Sequence, residues 1–218
     1  MKLLTVITGT LAFVLVVLGA LPVPSASGQS DLIQLRVSVF NSSAVLPSTV
    51  DRAESEAGQV LRDAGVGVIW LNCPQNAQHE AALGSCSEAS FPSHLHLRIV
   101  RASRGLRATT VGISFVAEDG RGCYADLFYQ PIQQLQEETQ VSPSVVLGHA
   151  MAHELGHLLL GTNSHSSSGL MRSHWTGEDL ARASKGNLRF SQEQSVRIRN
   201  RLAQKTPPAL QTSVAAGN

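Results

Sequence analysis

The sequence is poor in aromatic side chains and carries almost no net charge. Phe, Trp and Tyr make up 5% of the 218 residues, which is too few for a surface that stacks bases or sugars. Lys and Arg number 17 against 16 Asp and Glu, a net charge of +1, so neither nucleic acid nor an anionic membrane surface is indicated as a partner. We expect a monomeric globular domain.

Cysteine is also scarce. The chain has three cysteines, Cys73, Cys86 and Cys123, so it is not a disulfide-dense scaffold. Cys73 and Cys86 flank a polar loop and are the natural pair by proximity, and one of the three must be left over. The pairing stays open from the sequence alone.

Long hydrophobic runs are missing except at the N-terminus. Met1 and Lys2 precede an apolar run to Leu21, and prolines and small residues follow. This pattern predicts a signal peptide over 1–28 and hence export, to the periplasm or outside the cell, with no stable membrane association after cleavage. An uncleaved anchor helix is the alternative. We predict one domain over 29–205 and a disordered tail over 206–218.

The predicted elements alternate between strands and helices. Strand patterns occur at 33–39, 66–71, 94–100, 109–116 and 123–129. A capping box at Ser48 predicts a helix that Gly65 ends, Ser142-Pro143 opens a helix to Leu160, and Ser191 opens a helix to about residue 203. This order predicts an α/β or α+β domain, a twisted sheet backed by helices.

The most informative motif is His153-Glu154-x-x-His157 within the second predicted helix. Residues four apart lie on one face of a helix, so both imidazoles can bind one zinc ion. Glu154 lies beside them and can handle the proton of a zinc-activated water. The motif therefore predicts a catalytic Zn2+ site.

A catalytic zinc needs a third protein ligand and an open position. His165 is the leading candidate, because Gly161 can end the helix in a left-handed conformation and turn the chain back. The alternative is Glu178, at a distance typical of gluzincin peptidases, with Asp179 as a weaker variant. His149, one turn before the motif, is either an outer partner of the site or a core or surface histidine with no role in it.

The segment from 145 to 175 resembles the metzincin clan of zinc peptidases. That clan has H-E-x-x-H-x-x-G-x-x-H followed by a methionine-bearing turn. This chain has the motif, then Gly161, His165 and Met171, with one extra residue before the glycine and one before the last histidine. The resemblance implies that Met171 forms the base under the metal and that the strand at 112–116 binds an extended substrate by backbone pairing.

The resemblance implies a secreted zinc-dependent metalloendopeptidase with His153, His157 and His165 as metal ligands and Glu154 as general base. Its partner would be a protein or peptide substrate. Relatives often use a downstream tyrosine to stabilise the oxyanion, but no tyrosine follows Tyr129, and His174 is the candidate substitute. The alternatives are a zinc-binding module without useful catalysis and a zinc amidase for a non-protein amide.

Two further histidines are expected to have no function. His94 and His96 alternate with leucines on one strand. This alternation predicts a solvated strand face rather than a second metal site.

Overall fold

The computed structural model describes residues 32–74, 86, 89–103 and 105–203. The predicted signal peptide and the predicted tail lie outside these ranges. Within them, no helix is both long enough and apolar enough to span a membrane.

The centre of the fold is a five-stranded mixed sheet with the strand order β2-β1-β3-β5-β4. Strands β2, β1, β3 and β5 run parallel, and β4 pairs antiparallel with β5 at one edge. All five predicted strands are confirmed. They are β1 (Ile33–Asn41), β2 (Val66–Cys73), β3 (His94–Val100), β4 (Gly112–Phe115) and β5 (Tyr124–Phe128).

Five helices accompany the sheet within the described ranges, so the domain is a mixed α/β fold, as predicted. They are α1 (Pro47–Asp63), α2 (Tyr129–Thr139), α3 (Pro143–Leu160), α4 (Gly177–Ala183) and α5 (Gln192–Ala203). The three predicted helices are confirmed, whereas α2 and α4 were not predicted. The capping box at Ser191 forms with Gln194. The prediction of a capping box at Ser48 was wrong, because α1 begins at Pro47 and the side chain of its N-cap residue, Leu46, makes no capping hydrogen bond.

The core lies between one face of the sheet and the helices α1 and α3. The inward side chains of β1 and β3 are fully buried against these helices. Helix α3 is buried on all sides, since every residue from Val146 to Leu160 is shielded from solvent. A helix this enclosed must satisfy its polar side chains within the protein, and these side chains include His153, Glu154 and His157 of the predicted site.

The opposite face of the sheet differs from expectation at His94 and His96. Their side chains are 8% and 9% exposed, so the predicted solvated face was wrong. Ser38 Oγ lies 2.8 Å from His94 Nε2, and the rings of Phe40 and Tyr124 each lie 5.3 Å from that of His96. The alternation along the strand correctly predicted that His94 and His96 lie on the face of the sheet opposite the core. Ser38, Phe40 and Tyr124 of the neighbouring strands, however, cover their side chains.

The pairing of Cys73 with Cys86, which their proximity in the sequence favoured, is confirmed, since the two residues form a disulfide. Cys73 is the last residue of β2, so the bridge joins Cys86 to the end of this edge strand. Cys123, immediately before β5, is half-buried.

One buried carboxylate outside the predicted site affects stability. Glu54 on α1 is 6% exposed, and its Oε2 accepts a hydrogen bond of 3.4 Å from Asn72. Burial raises the pKa of Glu54 from 4.5 to about 7, against the Asn72 bond and with some help from Asp51. An acid whose pKa rises on folding stabilises the fold while protonated, and this stabilisation is lost as pH rises from 4.5 to about 7.

We therefore expect Glu54→Gln to stabilise the protein at about pH 8, by roughly 1 kcal/mol. At about pH 5 the gain should shrink or vanish, because wild-type Glu54 is then largely protonated. Thermal unfolding of both proteins at the two pH values measures the difference. Glu137→Gln, an exposed change on α2, is the control, and an equal shift at both pH values would contradict the prediction.

Candidate metal centre

Helix α3 brings His153 and His157 together one turn apart. Its N-cap is Ser142, with Pro143 in the first turn, and it ends at Gly161 in the left-handed conformation with φ of 66°. Both histidines are buried, at 6% and 5% exposure. Their Nε2 atoms lie 3.0 Å apart, as the spacing of the motif predicts.

Two backbone carbonyls determine which ring nitrogens face each other. His153 Nδ1 donates to Leu170 O and His157 Nδ1 donates to Thr162 O, each at 2.8 Å. Because a carbonyl oxygen only accepts, each Nδ1 carries the proton and each neutral ring has its lone pair at Nε2. The two lone pairs converge on the same point, which is the arrangement of imidazoles that share a cation.

The surroundings keep these rings neutral. Burial, assisted by the neighbouring His157, lowers the pKa of His153 to about 3. Burial likewise lowers the pKa of His157. At neutral pH both imidazoles are therefore in the unprotonated form that binds metals.

The loop after Gly161 carries His165 to the same point. The Gly161 N–H donates to His157 O at 2.9 Å, which closes the helix. The His165 ring centroid lies 4.8 Å from that of His157 and 5.4 Å from that of His153. Ligand atoms of the three histidines all lie within 4.8 Å of one another, so these residues could hold a metal ion. The two extra residues relative to the metzincin pattern lie in the last turn of α3 and in this loop.

The alternative third ligands lie elsewhere in the structure. Glu178 is exposed in the first turn of α4 and does not join the histidine cluster. Asp179 is buried, but its carboxylate accepts from Thr176 and from Arg172 at 3.0 Å each. Although burial opposes the change, these bonds lower the pKa of Asp179. In the described part of the chain, no fourth His, Cys, Asp or Glu completes the cluster.

Glu154 lies beside the histidines against strand β4. Its side chain is 3% exposed, and Oε2 accepts a hydrogen bond of 2.6 Å from Ser114 Oγ. Burial raises the pKa of Glu154 to about 7, against the effect of the Ser114 bond. A carboxyl group with this pKa can gain or release a proton near neutral pH.

Met171 and Trp175 lie next to the histidines. Met171 is 1% exposed, and its sulfur lies against Gly156 of α3, between the two motif histidines in sequence. Trp175 Nε1 donates to Leu170 O at 3.0 Å, the carbonyl that also accepts from His153. The turn that follows His165 thus packs against the part of α3 that carries His153 and His157.

His149 is a buried core histidine. It is fully shielded, and its Nδ1 lies 2.9 Å from Val145 O one turn earlier on α3. It does not belong to the cluster of the other three histidines.

A cleft of about 560 Å³ opens onto Glu154 and the three clustered histidines. Strand β4, the 163–175 region and α2 form its walls. The residues of α2 that line it are Pro131, Gln134, Leu135 and Glu138. Sequence reasoning missed this wall, although the spacing of these four residues is that of one helix face. Exposed His174 lines the cleft, whereas neither described tyrosine does.

Comparison with known proteins gives little further information. No protein family matches the chain, and no curated protein matches it. Among solved structures, the chain is similar to a zinc-dependent peptidase from Methanocorpusculum labreanum, with a TM-score of 0.49 and 14% identity. The match covers 74% of this chain and 99% of that one. A similarity this low does not identify the family of the chain.

The geometry predicts how metal binding responds to loss of one imidazole. We expect near one zinc per wild-type chain and at least about 100-fold weaker binding in His165→Ala, since even loss of an outer partner weakens metal sites 10- to 100-fold. Competition with a chromophoric chelator measures the affinity. His174→Ala, which removes an exposed cleft histidine, is the control.

Full zinc affinity in His165→Ala would exclude His165 as a ligand. In that case Glu178→Ala would be measured next, because Glu178 was the alternative from the sequence.

Proposed function

We propose that the chain is an exported zinc metalloendopeptidase that hydrolyses peptide bonds, with Glu154 as general base. The observation that carries the proposal is the convergence of three imidazoles and one buried carboxyl group on a single open cleft. A group of three protein ligands with access from solvent is typical of catalytic rather than structural zinc sites.

The donor set fits zinc. Imidazole nitrogen is a preferred zinc ligand, and the bonds from His153 and His157 to backbone carbonyls orient the rings and fix the tautomer. When bound, zinc supplies Lewis acidity, which acidifies water and polarises a carbonyl.

Glu154 supplies the proton transfer. Its carboxyl group lies next to the ligands, is enclosed, and has a pKa of about 7. In the ionised form it accepts a proton from the attacking water, and in the protonated form it delivers that proton to the leaving amine. No tyrosine lines the cleft in the described part of the chain, so His174 is our candidate for stabilising the oxyanion.

Strand β4 offers a place for an extended substrate. It is an edge strand whose described pairing is with β5 on one side. Residues Gly112–Ser114 line the cleft, so a peptide can add to this edge by backbone hydrogen bonds while its scissile bond lies near the histidines. This arrangement favours a peptide over a compact amide substrate and agrees with the resemblance to metzincins.

Export is part of the proposal. The disulfide between Cys73 and Cys86 is a feature of proteins that fold in oxidising compartments. It supports the signal peptide predicted over residues 1–28.

A zinc-binding module without useful catalysis is the second candidate. The observation that favours it is the lack of a tyrosine along the described cleft. Zinc-loaded protein that cleaves nothing in a broad peptide library would favour this candidate. Cleavage of cell-wall amides but not of peptides would favour an amidase.

We expect Glu154→Gln to keep its zinc and to lose about 10²- to 10⁴-fold in kcat, because Gln cannot accept the proton of the attacking water. Peptide-library cleavage at matched zinc content measures this loss. Glu178→Gln is the matched control, an exposed change outside the cluster that should leave both zinc content and kcat unchanged. Unchanged turnover in Glu154→Gln would rule out this mechanism.

A further inference from the structure

The inward face of strand β4 contacts the carboxylate of Glu154 at two positions. Side chains alternate along a strand, so residues 112 and 114 both point towards α3. Gly112 has no side chain there, and a Cβ built on it would lie 2.6 Å from Glu154 Oε1. Ser114 lies beside the other oxygen, Oε2, at 2.6 Å. One position makes room for the carboxylate and the other binds it.

The Ser114 hydroxyl has one proton and two acceptors within reach. Its Oγ lies 2.6 Å from Glu154 Oε2 and 2.8 Å from the Glu154 backbone oxygen. Hydrogen bonds to ionised groups are shorter and stronger than neutral ones. Ser114, which is 7% exposed, therefore donates to the carboxylate whenever Glu154 is ionised.

We propose that Ser114 is a positioning residue for the reaction: its hydroxyl holds Oε2 of Glu154 against strand β4 and leaves Oε1 to exchange the proton. This inference rests on the proposed peptidase function. It also links two parts of that function, because the strand that orients the base is the strand along which the substrate would bind. A bound peptide that stiffens β4 would stiffen the orientation of Glu154 as well.

The experiment compares Ser114→Ala with Ser114→Thr, which restores a hydroxyl on a strand-compatible side chain. We expect Ser114→Ala to lose roughly 10- to 100-fold in kcat, the effect of losing a hydrogen bond to a charged group. KM and zinc content should change less than about twofold, since both hydrogen bonds of the hydroxyl go to Glu154 and not to the three clustered histidines. Ser114→Thr should recover most of the loss.

Ser38→Ala is the matched control. Ser38 is also a buried strand serine with one side-chain partner, His94, but it lies on the opposite face of the sheet. Its replacement should leave kcat unchanged. Equal kcat values for Ser114→Ala and Ser38→Ala, or no recovery in a folded Ser114→Thr protein, would overturn the proposal.

A second measurement does not need activity. In a Glu154→Met background, which lacks the carboxylate acceptor and keeps only the backbone oxygen of residue 154, Ser114→Ala should shift the thermal midpoint by less than in the wild type. Equal shifts in both backgrounds would overturn the contact itself. A different result is that the thermal shifts differ as expected while the zinc-loaded wild-type protein cleaves no peptide. That result would support the contact between Ser114 and Glu154 but overturn the proposed peptidase function.

Discussion

The site depends on one constraint: helix α3 is buried on all sides and yet carries Glu154 and the two histidines of the motif. Each of these side chains must find a partner inside the protein. His157 bonds to the carbonyl of Thr162, His153 to that of Leu170, and Glu154 to the hydroxyl of Ser114. The three partners come from three segments, so satisfying one helix face fixes the loop after α3, the methionine turn and the edge strand against each other.

This constraint explains why His165 reaches the other two histidines despite the longer spacing. The loop is held at both ends, at Thr162 by His157 and at Leu170 by His153 and Trp175. Between these anchors the chain only has to form a turn, and surface loops accept extra residues at little cost. The anchors, not the residue count, determine where His165 lies.

The parts of this structure that could be predicted are those that depend on residues close together in the sequence, because the local sequence pattern then determines the structure. The apolar helix around His153, its end at Gly161 and the alternating strands are of this kind. The helix α2 was missed because its sequence is rich in Gln and Glu and only Pro131 and Ile132 are buried. His94, His96 and the Ser114–Glu154 bond were missed because their environment comes from residues distant in sequence, which local periodicity does not encode.

Burial gives the histidines and the glutamate complementary properties. It removes protons from the imidazoles, lowering the pKa of His153 to about 3, and it retains a proton on the carboxyl group, raising the pKa of Glu154 to about 7. Both changes follow from one rule, that a low-dielectric site disfavours charge. A cation held by the imidazoles would favour the ionised carboxylate next to them. The same enclosure thus keeps the histidines in the form that binds a metal, and in the proposed function a bound cation would set the charge of Glu154.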